Sequence, residues 1–279
     1  MIEEIYYQDD GLVKITAASV GISKLRWTDI KTEKYLQDKD NAKLIMEKER
    51  FDHLPIVSHN GQVYEYLKTS SPNNFNDIQK HPITFKDVIS LDTDIREVIR
   101  KFSTLQRTFY FLTFQKRITG LITLGNLNCR QVQVYLFSLI CDLERGLGDF
   151  INDEIKNEGV IKYVEKRKQK DTKEEKYSKM LSNYQQLVSL DLENRMTEHF
   201  FFIDFFELIS EYQLYEKLGF SKTSWDKHSS INEIRIRVAH PTKSLLDKEN
   251  HIDKLAKRLD KIDDIIFRLG QNSSRQQNV

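Results

Sequence analysis

Twice in its first half, and never in its second, the chain places a strand-length apolar run before a turn signal and a returning run. The first copy is Phe51-Asp52-His53-Leu54-Pro55-Ile56-Val57, then His59-Asn60-Gly61, then Val63 to Leu67. Asn-Gly accepts the positive φ that a tight hairpin requires. A short amphipathic helix with Ala42, Leu44, Ile45 and Met46 among Lys and Glu precedes it. Thr28 to Lys31 reads as a short leading strand. The second copy opens with the strand Asp87-Val88-Ile89-Ser90. Asp92-Thr93-Asp94 then offers N-caps to a helix carrying Ile95, Val98, Ile99 and Phe102. Phe109 to Phe114 is its next strand, turning at Gln115-Lys116-Arg117 into Ile118 to Thr123. Repetition of one strand–helix–strand–strand layout points to a duplicated α+β unit.

Past Asn128 the alternation stops. Val132, Tyr135, Leu136, Leu139, Ile140, Leu143 and Leu147 recur at helical spacing, predicting an amphipathic helix through about Glu154, with Glu144 and Arg145 in its second half. Lys166-Arg167-Lys168-Gln169-Lys170 and the run Asp171 to Lys176 suggest a basic patch for an RNA backbone. Glu165, Glu174 and Glu175 instead favour a solvated helical hairpin with interleaved ion pairs. Tyr184 to Leu192 and Phe200 to Leu218 are expected to be helices, with Gly219 a C-cap. Ser221 to Ser230 reads as a loop plugged by Trp225. Ser229-Ser230 should cap a helix from about Ile231, and His251 to Leu269 forms the last one. The tail Gln271 to Val279 is polar and expected to be disordered.

Composition limits the functions available. Among 279 residues, 30% are charged but the net charge is +1, so no global field draws in nucleic acid. Cys129 and Cys141 form no CxxC pair, which suggests neither zinc nor a disulfide framework. The N-terminus Met1-Ile2-Glu3-Glu4 lacks the layout of a signal peptide, and no apolar run approaches the ~20 residues that span a bilayer. No membrane association and a cytoplasmic location are expected.

The tandem units resemble a pair of CBS domains, a Bateman module, over roughly residues 10 to 128. Phe51 to Val57 with Asn60-Gly61 carries the resemblance in the first repeat; Gly120-Leu121-Ile122-Thr123 and Asn126 carry it in the second. The resemblance implies an adenine nucleotide as regulatory ligand in a cleft between repeats. By that pattern Thr123 contacts phosphate, and Asn126 stands where an acid normally holds the ribose hydroxyls. The matching end of the first repeat, Tyr64 to Thr69, is degenerate, so one nucleotide site is expected rather than two. Residue by residue, Thr123 and Asn126 read equally well as a strand-end cap, and His53 as a strand residue satisfied by packing.

Within the helical half lies Glu233-Ile234-Arg235-Ile236-Arg237-Val238-Ala239-His240-Pro241. An Arg, four residues and a His before Pro pair a phosphate-matching cation with a group that titrates near neutrality. This resembles the signature of the HEPN superfamily, helical proteins that include many metal-independent ribonucleases. It implies a HEPN-like bundle over residues 129–270 behind the CBS pair of 1–128, with 271–279 as tail. It further implies RNA cleavage by a homodimer, with Arg235 and His240 catalytic and no catalytic cofactor or metal. Ile236 departs from the pattern, in which a polar residue follows the Arg. The rival reading is a non-catalytic nucleotide sensor whose helical domain dimerises and binds a partner. Five residues subtend roughly 140° on a straight helix, so His240, ahead of Pro241, is expected at the helix end.

Overall fold

The computed structural model describes residues 14–170, 175–192, 195–240 and 242–276. Met1 to Glu4, the stretch Asp171 to Glu174, Pro241 and the last three residues of the tail, all assigned above from sequence, lie outside the described residues. The chain divides into two compact units, Lys14–Val132 and a helical unit from Gln133 onward.

The first unit contains α1 (Ala17–Val20), β1 (Ile22–Ser23), β2 (Ile30–Lys31), α2 (Thr32–Gln37), α3 (Lys39–Glu49), β3 (His53–Val57), β4 (Val63–Thr69) and β5 (Ile78–Pro82). It continues with β6 (Val88–Ser90), α4 (Ile95–Leu105), β7 (Phe109–Phe114) and β8 (Arg117–Thr123). Two four-stranded sheets result, in the orders β2-β3-β4-β5 and β1-β8-β7-β6. In each, the leading strand runs parallel to the strand after the helix, Ile30 opposite Ile56 and Ile89 opposite Leu112. That strand then pairs antiparallel with its successor.

The correspondence between the halves extends to irregularities. Register shifts fall at Ile56/Val57 and at Leu112/Thr113. Both helices end in a left-handed residue three positions before the next strand, Arg50 with φ 54° and Gln106 with φ 50°. Asp38 and Asp94 cap the two helices through their carboxylates. The backbone bonds Thr69 N–H to Asp52 O and Leu124 N–H to Thr108 O make Asp52 equivalent to Thr108, and therefore His53 to Phe109 and Lys68 to Thr123.

The edge strands are exchanged. β1 leads into the first half but pairs with β8 of the second, Ile22 opposite Leu121 and Ser23 opposite Gly120. β5 leads into the second half but pairs with β4 of the first. Sequence periodicity shows neither strand, since β1 has two residues and β5 keeps no residue fully buried. Glycine is needed where β1 meets β8: a Cβ on Gly120 would stand 2.4 Å from Ile22 O, and one on Gly21 2.5 Å from a Leu112 methyl. Ile30, Ala42, Met46, Leu54, Ile56 and Leu67 form one apolar cluster under α3. α4 fully buries Ile95, Val98, Ile99 and Phe102.

The helical unit contains α5 (Arg130–Lys170), α6 (Lys176–Ser189), α7 (Phe202–Glu211), α8 (Lys222–Asp226), α9 (Asn232–Ala239) and α10 (Ile252–Gln276). α5 buries Leu136, Leu139, Leu143, Leu147 and Ile151 on one stripe and breaks at Lys156, whose φ is 58°. Among the described residues, no helix is long and apolar enough to cross a membrane, and no three His, Cys, Asp or Glu side chains are grouped to hold a metal.

Four local expectations are corrected. Phe200 to Leu218 is not one helix: α7 stops at Glu211 because Gln213 adopts φ 55°, and a short 3-10 turn follows. Ser221 to Ser230 is not a loop but α8 and a 3-10 turn, although Trp225 is buried there as a plug. Ser229 and Ser230 cap nothing; their hydroxyls donate back to Asp226 O and Lys227 O. Gln271 to Gln276 belongs to α10, since nothing after Gly270 breaks the backbone hydrogen bonding. The basic run at the end of α5 is ion-paired, as its interleaved charges predict: Lys166 meets Glu211 at 2.6 Å, and Arg167 meets Glu207 and Glu211 at 3.4 Å.

Candidate functional site

α9 buries Ile234 and Val238, one helical turn apart, which leaves Arg235 and Arg237 on its flanks. The helix stops at Ala239. His240 has φ −120° and ψ 86°, outside the α region as a residue before proline should be. Its N–H donates to Arg237 O at 3.3 Å, its carbonyl accepts from Lys243 N–H at 2.8 Å, and the residue is exposed. The Arg235 Nε lies 3.9 Å from a Glu144 carboxylate oxygen. Burial raises the Glu144 pKa, against the opposing pull of Arg235. Ile236 is half-buried. Arg237 is committed elsewhere, donating to Ser244 O at 2.7 Å and to Asp247 at 2.5 Å. It is the main reason the exposed Asp247 carboxyl titrates below the usual range. Gln133 adds a bond to Lys243 O at 3.0 Å, so the segment after His240 is tied to both α9 and α5.

Glu144 also lines a cavity of about 300 Å³ in the helical unit, together with Arg145, Asp149, Arg195, Phe200 and Phe205. Arg195 pairs with Asp149 at 2.6 Å. Sequence reading placed Glu144 and Arg145 on the right helix but missed this cavity. The signal available was Cys141, Glu144, Arg145 and Gly148, which share one face of α5 at three- and four-residue intervals.

In the first unit, Thr123 and Asn126 are engaged with each other. Both the N–H and the hydroxyl of Thr123 donate to Asn126 Oδ1, at 2.7 and 2.9 Å. This closes a capping box on the 3-10 turn that follows β8. A Thr123 hydroxyl that donated to phosphate would have to leave Asn126. The same box recurs at Thr84 and Asp87, where the N–H and hydroxyl of Thr84 donate to the Asp87 carboxylate at 2.8 and 2.6 Å. There the acid is charged and takes Arg107 at 2.6 Å on its other oxygen. These bonds hold the Asp87 pKa below the ordinary carboxylate range although burial opposes them.

The position equivalent to Thr123 in the first half is Lys68, within the degenerate stretch Tyr64 to Thr69. Around it lies an aromatic cluster. The equivalent residues His53 and Phe109 pack with centroids 3.8 Å apart and planes tilted by 35°, Tyr66 lies 5.3 Å from Phe109, and His81 stacks on Tyr66 at 5.6 Å. Burial first, and then the charge of Lys68, lower the His53 pKa to about 4; His81 and Arg107 add to the effect and Asp52 opposes it. His53 is therefore neutral at neutral pH, and its Nε2 is buried without a hydrogen-bond partner. The expectation that packing satisfies His53 holds for the ring face and fails for this nitrogen.

No family model matches the chain, and no curated protein does. Solved structures similar to it include CBSX2 in complex with AMP, at 13% identity and a TM-score of 0.33, covering 43% of this chain and 97% of that one. A CBS-domain protein of unknown function from Thermoplasma acidophilum is 15% identical over 41% of this chain and 68% of that one, with a TM-score of 0.32. A hemolysin-like protein containing a CBS domain from Oenococcus oeni is 14% identical over 41% and 88%, with a TM-score of 0.30. With scores this low, what the chain binds has to be decided from its own residues.

Proposed function

We propose that the chain is a nucleotide-responsive endoribonuclease. In this reading the first unit is a tandem CBS pair that senses an adenine nucleotide, and the helical unit is a HEPN-type domain that cleaves RNA without metal. The observation that carries it is an arginine on the flank of α9 and, five residues on, an exposed histidine at that helix's end. The duplicated register of the first unit, with matching bulges and helix ends, supports the CBS assignment.

The chemistry follows from the groups. His240 takes the proton of a 2′-hydroxyl. The oxygen attacks the adjacent phosphorus, and the 5′-oxygen leaves with a proton supplied by an acid. Arg235 stabilises the charge gathered on the phosphoryl oxygens. A homodimer brings two copies of the motif into one cleft, so one His240 serves as base and the other as acid. Thr123 and Asn126 are the proposed contacts to the nucleotide phosphate and ribose.

A second reading keeps the sensor and removes the chemistry: the helical unit dimerises and docks a partner. Ile236 in place of a polar residue favours it, as does the ion pair that occupies Arg235. Incubation of the protein and a His240→Ala variant with total RNA, with and without adenine nucleotides, separates the two. Cleavage lost in the variant supports the nuclease; equal cleavage by both, or none by either, removes it.

A further inference from the structure

The break in α5 falls on a residue that resists it. Lys156 has φ 58° and ψ 165°, a combination that glycine takes freely and that disfavours any other residue by about tenfold or more. Its neighbours are better suited, since Asn157 tolerates positive φ and Gly159 is indifferent to its sign. Helix continues on both sides, and no proline between Asn152 and Gly159 forces a stop. A second cost sits beside the first: Asn152 Oδ1 is buried without a hydrogen-bond partner. The bend must be held by something outside the helix.

The segment 195–200 holds it. Asn152, before the break, donates to Thr197 Oγ1 at 2.8 Å; Asn157, after it, accepts from the Met196 N–H at 2.8 Å. On an unbroken helix five positions turn through roughly 140°, so the two asparagines would diverge and adjacent residues would lose one of them. Gly159 suits the bend as well, because a Cβ there would stand 3.1 Å from Ile155 Cβ. The same segment is a wall of the cavity: Thr197, Glu198 and Phe200 line it together with Glu144 and Asp149 of α5. Arg195 reaches across to Asp149 at 2.6 Å.

We propose that Lys156 is a strained hinge. α5 exchanges between the bent form, in which 195–200 is held against it, and a continuous helix, in which Asn157 releases Met196 and that wall of the cavity moves away. The bent form keeps the cavity bounded; the straight one relieves Lys156. None of this depends on the nuclease reading.

The experiment compares two substitutions that exchange the places of glycine. In an ordinary helix Lys156→Gly weakens and Gly159→Ala strengthens, each by about fivefold; the hinge reverses both signs. Hydrogen exchange of the full chain is read by mass spectrometry on peptides containing Met196. Lys156→Gly should slow exchange of that amide by about tenfold, and Gly159→Ala should speed it. Spin labels on Val134→Cys and Lys168→Cys, with Cys129→Ser and Cys141→Ser, measure the bend. A straight helix of that span is roughly 50 Å long. Gly159→Ala should enrich distances near that length, and Lys156→Gly should deplete them. If Gly159→Ala fails to fold, Asn157→Ala, which removes the bond from Met196, carries the same expectation. Faster exchange in Lys156→Gly, slower exchange in Gly159→Ala, or one distance distribution shared by all variants overturns the proposal.

Discussion

His53→Phe should make the first unit more stable and flatten its response to acid. The equivalent position in the other half is already Phe109, and the two rings pack against each other, so a phenyl group fits the site by the protein's own precedent. Two terms add. Removing a buried nitrogen that has no partner relieves an unsatisfied polar group, worth about 1–3 kcal/mol. The second term depends on pH. His53 titrates at about 4 in the folded chain against an ordinary 6.5, so below about pH 6.5 the unfolded chain binds the proton that the folded chain refuses. Stability is therefore full above the unfolded pKa and falls as pH drops from there toward the folded one. Integration gives a loss of about 2 kcal/mol between about pH 7.5 and 5. The two tryptophans fall in different units, Trp27 against Phe111 and Trp225 in the helical bundle. In a Trp225→Phe background, urea unfolding followed by Trp27 fluorescence reports the first unit. The wild-type midpoint should fall across this pH range and that of His53→Phe should fall much less. Parallel pH profiles, or a variant less stable than its parent at neutral pH, would refute the reasoning.

Gly120→Ala should cost the first unit several kcal/mol, on the order of 3, because the new methyl meets the Ile22 carbonyl at 2.4 Å across the β1–β8 pairing; the same Trp27 signal measures it. Asp204→Ala should destabilise the helical unit by about 3–5 kcal/mol, because the fully buried carboxylate takes Lys176 at 2.5 Å and the Phe201 N–H at 2.8 Å. Trp225 fluorescence during urea unfolding checks that value. Thr123→Val should abolish the thermal shift produced by AMP while lowering the ligand-free melt only by the loss of one cap, about 1 kcal/mol. Asn126→Asp, which restores a charged acceptor for ribose, should enlarge that shift.

Much of the fold was legible because local chemistry and tertiary demand agree. The N-caps at Asp94 and the Asn60-Gly61 turn, where Gly61 has φ 72°, are short-range signals that the fold keeps. The hairpin at Gln115-Lys116 takes positive φ at two residues with no special preference for it, and only the flanking strands revealed it. Gln213 and Lys156 hide their helix breaks in the same way. For the candidate site, spacing located Arg235 and His240 and their place at a helix end, since proline restricts the residue before it. Glu144 could not be assigned to Arg235, because a contact between positions 91 residues apart leaves no local pattern. The same holds for the exchange of β1 and β5.

That exchange has a consequence for how the first unit came to be and how it fails. Neither half carries its own outer strand, so a polypeptide cut between β4 and β5 would leave β8 with an open edge seeking Ile22 and Ser23. Supplied with a second copy instead of a second half, such a fragment would finish its sheet on a neighbour. The tandem unit is in effect a strand-swapped dimer joined into one chain. Its closing contact, between residues nearly a hundred positions apart, can form only after both halves have been made, so the unit gains its last strand late.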